Sequence, residues 1–167
     1  MADSHSFDAF MNTNYIFAFA IGIGIVAGLR SMTAPAILSW AVYFGWLGLQ
    51  GTPLSFMGSI AAVAIFSVFA IGELVVDKLP QTPKRTAGPP FIARILMGAL
   101  CGACFCASVS QSLLIGAVLG AIGGVIGTFG GYEIRRRLVR SLNINDILLA
   151  IPEDLITIGL ACFLVFR

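Results

Sequence analysis

The stretch 28–35 could bind an anion, because an Arg, two hydroxyl residues and a Pro interrupt an apolar run. Pro35 suits the first turn of a new helix, and Ser31 or Thr33 could cap that helix. A helix N-terminus offers free N–H groups and a positive dipole end. We therefore predict a helix break at which Arg30 and the new N-terminus hold an anion or a carboxylate of a neighbouring helix. The alternative is a simple turn whose Arg30 contacts lipid phosphates.

Two pairs of acidic residues lie inside later apolar runs. Glu73 and Asp77 are four residues apart and share a helical face, with Asp77 nearer the end of the run. Glu153 and Asp154 point about 100° apart on a helix, so at least one should face the other helices. At 1.5 Å per residue, Glu73 and the 153–154 pair each lie roughly 10 Å inside their segments. Ionisable groups at such depth are functional candidates.

These polar residues are predicted to converge in one cluster at one end of the molecule. Arg30 and the N-terminus after it would hold an anionic group, while Glu73, with Glu153 or Asp154, would take up protons or cations. In a purely structural alternative, the charges only lock helices together. The predicted ion-binding residues are Arg30, Ser31, Thr33, Glu73, Asp77, Glu153 and Asp154, with Arg94 as a further candidate.

The composition predicts a membrane protein. Of the 167 residues, 58% are hydrophobic and only 11% are charged, and the mean hydropathy is +0.96. Soluble domains carry about 25% charged residues. The same composition excludes collagen, disordered tails and disulfide-stapled scaffolds. Nucleic acid is not an expected partner, because the basic residues lie in short connections without a recognition module.

The expected fold is an all-α, polytopic transmembrane helical bundle with about six membrane segments. A polar N-terminal segment, 1–14, lacks the basic residues of a signal peptide, and 15–167 forms a single transmembrane domain. The first two segments are short for a span of roughly 20 residues. They either cross the membrane or form a re-entrant hairpin that places Arg30 deep within it. The segments are 15–29, 34–49, 54–79, 91–109, 113–132 and 147–166.

The basic residues predict the orientation. Lys84 and Arg85 lie between the third and fourth segments, and an arginine-rich stretch lies between the fifth and sixth. Cytoplasmic loops carry an excess of Lys and Arg, so both connections should face the cytoplasm. Both termini would then be periplasmic in a bacterial inner membrane. Anionic lipids are expected partners of the arginine-rich stretch, which contains Arg135, Arg136, Arg137 and Arg140.

Small residues recur at helical spacing in the fifth segment and favour close helix packing over a nucleotide-binding motif. The same face could form a homo-oligomer. Cys101-x-x-Cys104 lies in an apolar, Gly- and Ala-rich run, which favours packing over redox chemistry or metal binding. No cofactor or metal site is indicated. The glycines are Gly116, Gly120, Gly123, Gly124, Gly127, Gly130 and Gly131.

A carrier or channel for a small ion or polar solute is the first hypothesis for function. The rival is a non-catalytic membrane scaffold in which charges and glycines serve assembly only. Common intramembrane enzymes are disfavoured, because the apolar segments contain no His, no H-E-x-x-H and no G-x-S-x-G motif on a nucleophile turn. An enzyme that uses only acids or Arg stays open, and substrate and oligomeric state are not indicated.

The order of several motifs resembles an uncharacterised family of small bacterial inner-membrane proteins, known as a domain of unknown function. The resemblance covers most of the chain and implies a bacterial inner-membrane setting, but no activity or substrate. Its motifs are G-L-R-S-M-T at 28–33, D-K-L-P at 77–80, R-T-x-G-P at 85–89, the Gly-rich run ending in G-Y-x-x-R-R at 131–136, and Glu153-Asp154.

Overall fold

The computed structural model describes residues 4–76, 88–142 and 146–165, with side chains over 15–76, 88–138 and 152–165. Within these ranges the chain is all-helical, with six α-helices, one 3₁₀ turn and no strand, which confirms the predicted all-α class. The helices are α1 (Ser4–Leu29), α2 (Thr33–Tyr43), α3 (Ile60–Val76), α4 (Gly88–Ser108), α5 (Leu113–Leu142) and α6 (Asp146–Val165), and the 3₁₀ turn is Ser55–Gly58.

Two helical stretches among the described residues are long and apolar enough to cross a membrane. They are Gly88–Ser108, which is α4, and Leu113–Leu138 within α5. Tyr15–Leu29 and Ile60–Val76 are apolar but shorter. Six membrane crossings therefore remain a prediction, whereas the hairpin of α4 and α5 with its short polar turn is observed.

Glycines bring the backbones of α1, α4 and α5 into direct contact. Gly24 and Gly28 of α1 lie against Gly120 and Gly124 of α5, so these two helices run parallel. Gly98 and Gly102 of α4 lie against the same face of α5 in the opposite direction. A Cβ atom at Gly24, Gly28, Gly98, Gly102 or Gly120 would clash with a neighbouring backbone. Small residues at such crossings let helices approach closely, as predicted for packing.

This packing uses most of the glycine face of α5 within one chain. Gly116, Gly120, Gly123 and Gly127 all meet α1 or α4, whereas Gly130 faces open space. A homo-oligomer remains a prediction, and it would need a different face. Cys101 and Cys104 are free and buried in α4 within the same core, as their packing interpretation requires.

The second segment is shorter than predicted, because α2 ends at Tyr43 rather than near residue 49. Gly45 adopts φ +77 and turns the chain out of the helix. The N–H groups of Gly45 and Trp46 then donate to carbonyls of the last helical turn. At 11 residues, α2 is about 16 Å long, roughly half of a membrane's hydrocarbon thickness.

The other boundaries also differ from those predicted. The third segment becomes helical only at Ile60, because the Ser59 side chain accepts a hydrogen bond from the Ala62 N–H and caps α3. The first segment was expected to be short, yet α1 begins at Ser4 and has 26 residues. Helix α5 continues past Tyr132 to Leu142, so its arginines are helical rather than in a loop.

Replacing Gly120 with Ala should strongly destabilise the protein, whereas Gly130→Ala should not. The Cβ atom at Gly120 would press on Gly98 and Gly102 backbone atoms, which cannot move without separating helices. At Gly130 it meets nothing within 4 Å, so only the helix-propensity gain of about 0.5–1 kcal/mol remains. The melting temperature of both variants is measured in detergent, with thermal unfolding monitored by dye labelling of the buried cysteines. Equal melting temperatures would contradict the backbone-contact interpretation.

Candidate ion-binding site at the break between α1 and α2

The close contact of α1 with α5 determines where α1 ends. Near this end, the Thr128 hydroxyl lies 3.2 Å from the Gly28 carbonyl oxygen and 2.7 Å from that of Gly124. It can therefore donate to a carbonyl in the last turn of α1, where the carbonyls lack helical N–H donors. The following residue pair, Leu29 and Arg30, begins the predicted break, and α2 starts at Thr33.

Arg30 is fully buried at this break and forms an ion pair with Asp154 of α6. Its Nη2 atom donates to Asp154 Oδ1, and the Asp154 side chain is only 11% exposed. A buried charge must be paired because its desolvation is costly. Asp154 is thus the member of the 153–154 pair that pairs with Arg30.

Glu73 of α3 binds the backbone of the break. One of its carboxylate oxygens accepts hydrogen bonds from Ser31 N and Ser31 Oγ, both at 2.8 Å. The other accepts from Met32 N at 2.9 Å. The carboxylate thus holds three converging donors directly beside the buried Arg30, as predicted for a carboxylate from a neighbouring helix.

The expected cap of α2 by its own side chain is wrong. The N-cap position is Met32, and it makes no side-chain cap hydrogen bond. Ser31 points its hydroxyl at Glu73 instead, and the Thr33 hydroxyl is buried without a hydrogen-bond partner among the described residues. The carboxylate that accepts hydrogen bonds from the N–H groups just before α2 belongs to α3. The local sequence does not reveal this partner.

Two other residues predicted for the cluster are Asp77 and Arg94. Asp77 lies outside the described residues. Arg94 is buried in α4, and its backbone flanks Gly124, the residue that also contacts Gly28. Arg94 therefore lies at the same end of the bundle as Arg30, within about one helical turn along the axis.

The fourth predicted carboxylate, Glu153, contacts Arg135 of α5. Glu153 Oε2 lies 3.4 Å from Arg135 Nη1, and both side chains are mostly buried. The carbonyl of Glu153 also accepts a hydrogen bond from the Thr157 hydroxyl, one turn after Pro152. Thr128 and Thr157 are also buried in this region. No sequence pattern marks either residue as part of the site.

The polar cluster therefore consists of three connected parts. Asp154 neutralises Arg30, Glu73 occupies the donors of the break, and Glu153 pairs with Arg135 beside a cleft of about 230 Å³. Two backbone N–H groups, a hydroxyl and an adjacent guanidinium form a donor set suited to an anion. Among the described residues, no three His, Cys, Asp or Glu side chains group as a metal site.

The fold and this site define a small all-helical protein with two long apolar helices and buried charges. The chain belongs to the family described as Domain of unknown function (DUF4126), whose model matches residues 17–166. This membership confirms the predicted resemblance to a domain of unknown function. Neither the curated proteins nor the solved structures contain a match.

Replacing Asp154 with Ala should destabilise the protein by about 3–5 kcal/mol, because Arg30 stays buried without this carboxylate. The double variant Arg30→Met/Asp154→Leu should recover most of that loss, since it removes both charges and keeps the space filled. Glu133→Ala, at an exposed ion pair, is the control and should change stability by less than about 0.5 kcal/mol. Thermal unfolding in detergent reports all three. A double variant as unstable as Asp154→Ala would argue against pairing as the role of Asp154.

Proposed function

We propose that this protein is a multi-pass membrane protein that binds and moves a small ion or polar solute through the cluster around Arg30. The observation that carries the proposal is the Glu73 carboxylate held by Ser31 and Met32 beside a buried arginine. In this hypothesis the carboxylate occupies the position that a small anion takes during transport.

The exposed surface supports a membrane setting. Helix α3 buries only Ala62, Val63 and Ala70, while large apolar side chains along it, such as Val68 and Ile71, are more than half exposed. Contiguous apolar surfaces of this kind are uncommon on soluble monomers. Lipid is the natural solvent for such a helix.

The described arginines support one orientation. Arg30, Arg94 and Arg135 lie at the end of the bundle where α1 and α5 approach their C-termini and α4 begins. We propose that this end faces the cytoplasm of a bacterium and that both termini are periplasmic. Trp40, Tyr43 and neighbouring aromatic rings cluster at the opposite end of α2, as expected of residues that favour a membrane interface.

The proposed mechanism is an exchange of acceptors at one set of donors. An incoming anion replaces the Glu73 carboxylate on Ser31 N, Ser31 Oγ and Met32 N, with Arg30 beside it. Asp154 keeps Arg30 neutralised while the site is empty, and Glu153 provides a second carboxylate nearby for a proton or cation.

A membrane scaffold is the second candidate, and a specific observation favours it. Three contacts of charged side chains connect separate elements: Arg30 with Asp154 joins the end of α1 to α6, Glu73 joins α3 to the break, and Arg135 with Glu153 joins α5 to α6. Contacts of this kind could serve assembly alone. The two functions differ in what the Glu73 side chain must do.

Substituting Glu73 with Gln tests the choice. In proteoliposomes loaded with a chloride-sensitive dye, the unmodified protein should move chloride, nitrate or formate faster than protein-free vesicles under a pH gradient. The variant should remain folded, but its rate of anion movement should fall about tenfold or more. This change corresponds to the loss of one charge-assisted hydrogen bond. The variant keeps the shape of the side chain but cannot carry the negative charge.

Glu133→Gln is the matched control, because Glu133 is an exposed carboxylate on α5 that pairs with Arg137. It should leave both movement and melting temperature unchanged. If the unmodified protein moves none of the anions and Glu73→Gln only lowers the melting temperature, the scaffold function replaces the transport function.

A further inference from the structure

A cleft of about 230 Å³ opens between α5 and α6 beside the last residue of α1. Its walls are aliphatic, with Leu29 of α1, Ile134 and Leu138 of α5, and Pro152 and Ile156 of α6. We infer that this cleft binds part of an anionic phospholipid, with an acyl chain between the aliphatic walls and the phosphate at the arginines. The inference requires a membrane setting but not the proposed transport.

The apolar walls suit a hydrocarbon chain. Gly131 lines the cleft where α5 passes Leu29, and a Cβ atom there would meet the end of the Leu29 side chain at 2.5 Å. The volume lies below the roughly 300–1,000 Å³ of sites that enclose whole small molecules. It therefore accommodates a segment of a lipid whose remainder stays outside.

The charges beside the cleft complement an anionic headgroup. Arg135 lines the cleft together with Glu153, and Arg136 and Arg137 follow on α5. Glu133 contacts both of these arginines. Among these described side chains, three carry a positive charge and two carry a negative charge. This local excess of positive charge attracts a phosphate.

The depth of the cleft also matches a lipid. Arg135 follows Leu113, the first residue of α5, by 22 positions, which is about 33 Å along the helix. The hydrocarbon core of a bilayer is about 30 Å thick. With Leu113 at one boundary of the core, Arg135 lies at the phosphate level of the other, and Gly131 and Leu29 lie just below it.

Native mass spectrometry of the purified full chain in detergent tests the inference. The probes are phosphatidylglycerol and phosphatidylcholine with identical acyl chains, titrated separately. We expect phosphatidylglycerol to bind at least about fivefold more tightly, corresponding to one basic residue at the headgroup. Equal affinities for the two lipids, or binding of neither, would overturn the inference.

Two variants locate the site. Arg135→Gln/Arg136→Gln/Glu153→Gln removes the ion pair at the cleft together with the excess positive charge, and should lower phosphatidylglycerol affinity about fivefold without changing phosphatidylcholine binding. Ile156→Trp fills the cleft from an exposed position and should weaken the binding of both lipids. Val68→Trp, at an exposed position of α3 outside the cleft lining, is the control for Ile156→Trp and should change neither affinity more than twofold.

The outcomes separate the lipid site from other occupants and from transport. If Ile156→Trp leaves lipid binding unchanged but dissociates a dimer, the cleft holds a second copy of the chain and the inference fails. If both cleft variants bind phosphatidylglycerol like the unmodified protein, the lipid lies elsewhere and the inference also fails. Anion movement in proteoliposomes is measured independently, so its absence leaves the lipid result intact.

Discussion

The direct contact of three helix backbones is the constraint on which the rest of the structure depends. Where Gly24, Gly98 and Gly120 meet, no side chain separates α1, α4 and α5. In an apolar solvent, helix association relies on close packing rather than on the hydrophobic effect. Because the backbones are in direct contact at this crossing, it fixes the position of α1 along the axis of α5. That position determines where α1 ends and therefore where Arg30 is buried.

The demands of buried polar groups then select the neighbours of the break. Arg30 needs a carboxylate, and α6 supplies Asp154. The N–H groups of Ser31 and Met32 need an acceptor, and α3 supplies Glu73. Unsatisfied groups in such a place would cost several kcal/mol each by order of magnitude. The same requirement that holds α3 and α6 in place thus gathers the donors and acceptors that an ion would need.

Local chemistry made several of these features predictable. The residue types at 28–35 indicated the break, and counting 1.5 Å per residue placed Glu73 and Asp154 at a shared depth. Pairing was harder to predict, because it depends on how each helix is rotated about its axis. The sequence indicates that Glu153 or Asp154 faces inward, but only the contact of α6 with α1 shows that Asp154 meets Arg30 while Glu153 meets Arg135. The end of α2 at Tyr43 was not predicted, because the residues that follow Gly45 are as apolar as the helix itself.

The long chain separation of Arg30 and Asp154 has a consequence for biosynthesis. The two residues are 124 positions apart, and ribosomes add roughly 5–20 residues per second. Arg30 is therefore added to the chain about 6–25 s before Asp154. During that interval the residue after the first helix is a cation for which this carboxylate has not yet been made. Completion of the native fold thus waits for the last helix, and a chain that stalls before α6 differs from a finished one in that Arg30 lacks the Asp154 carboxylate.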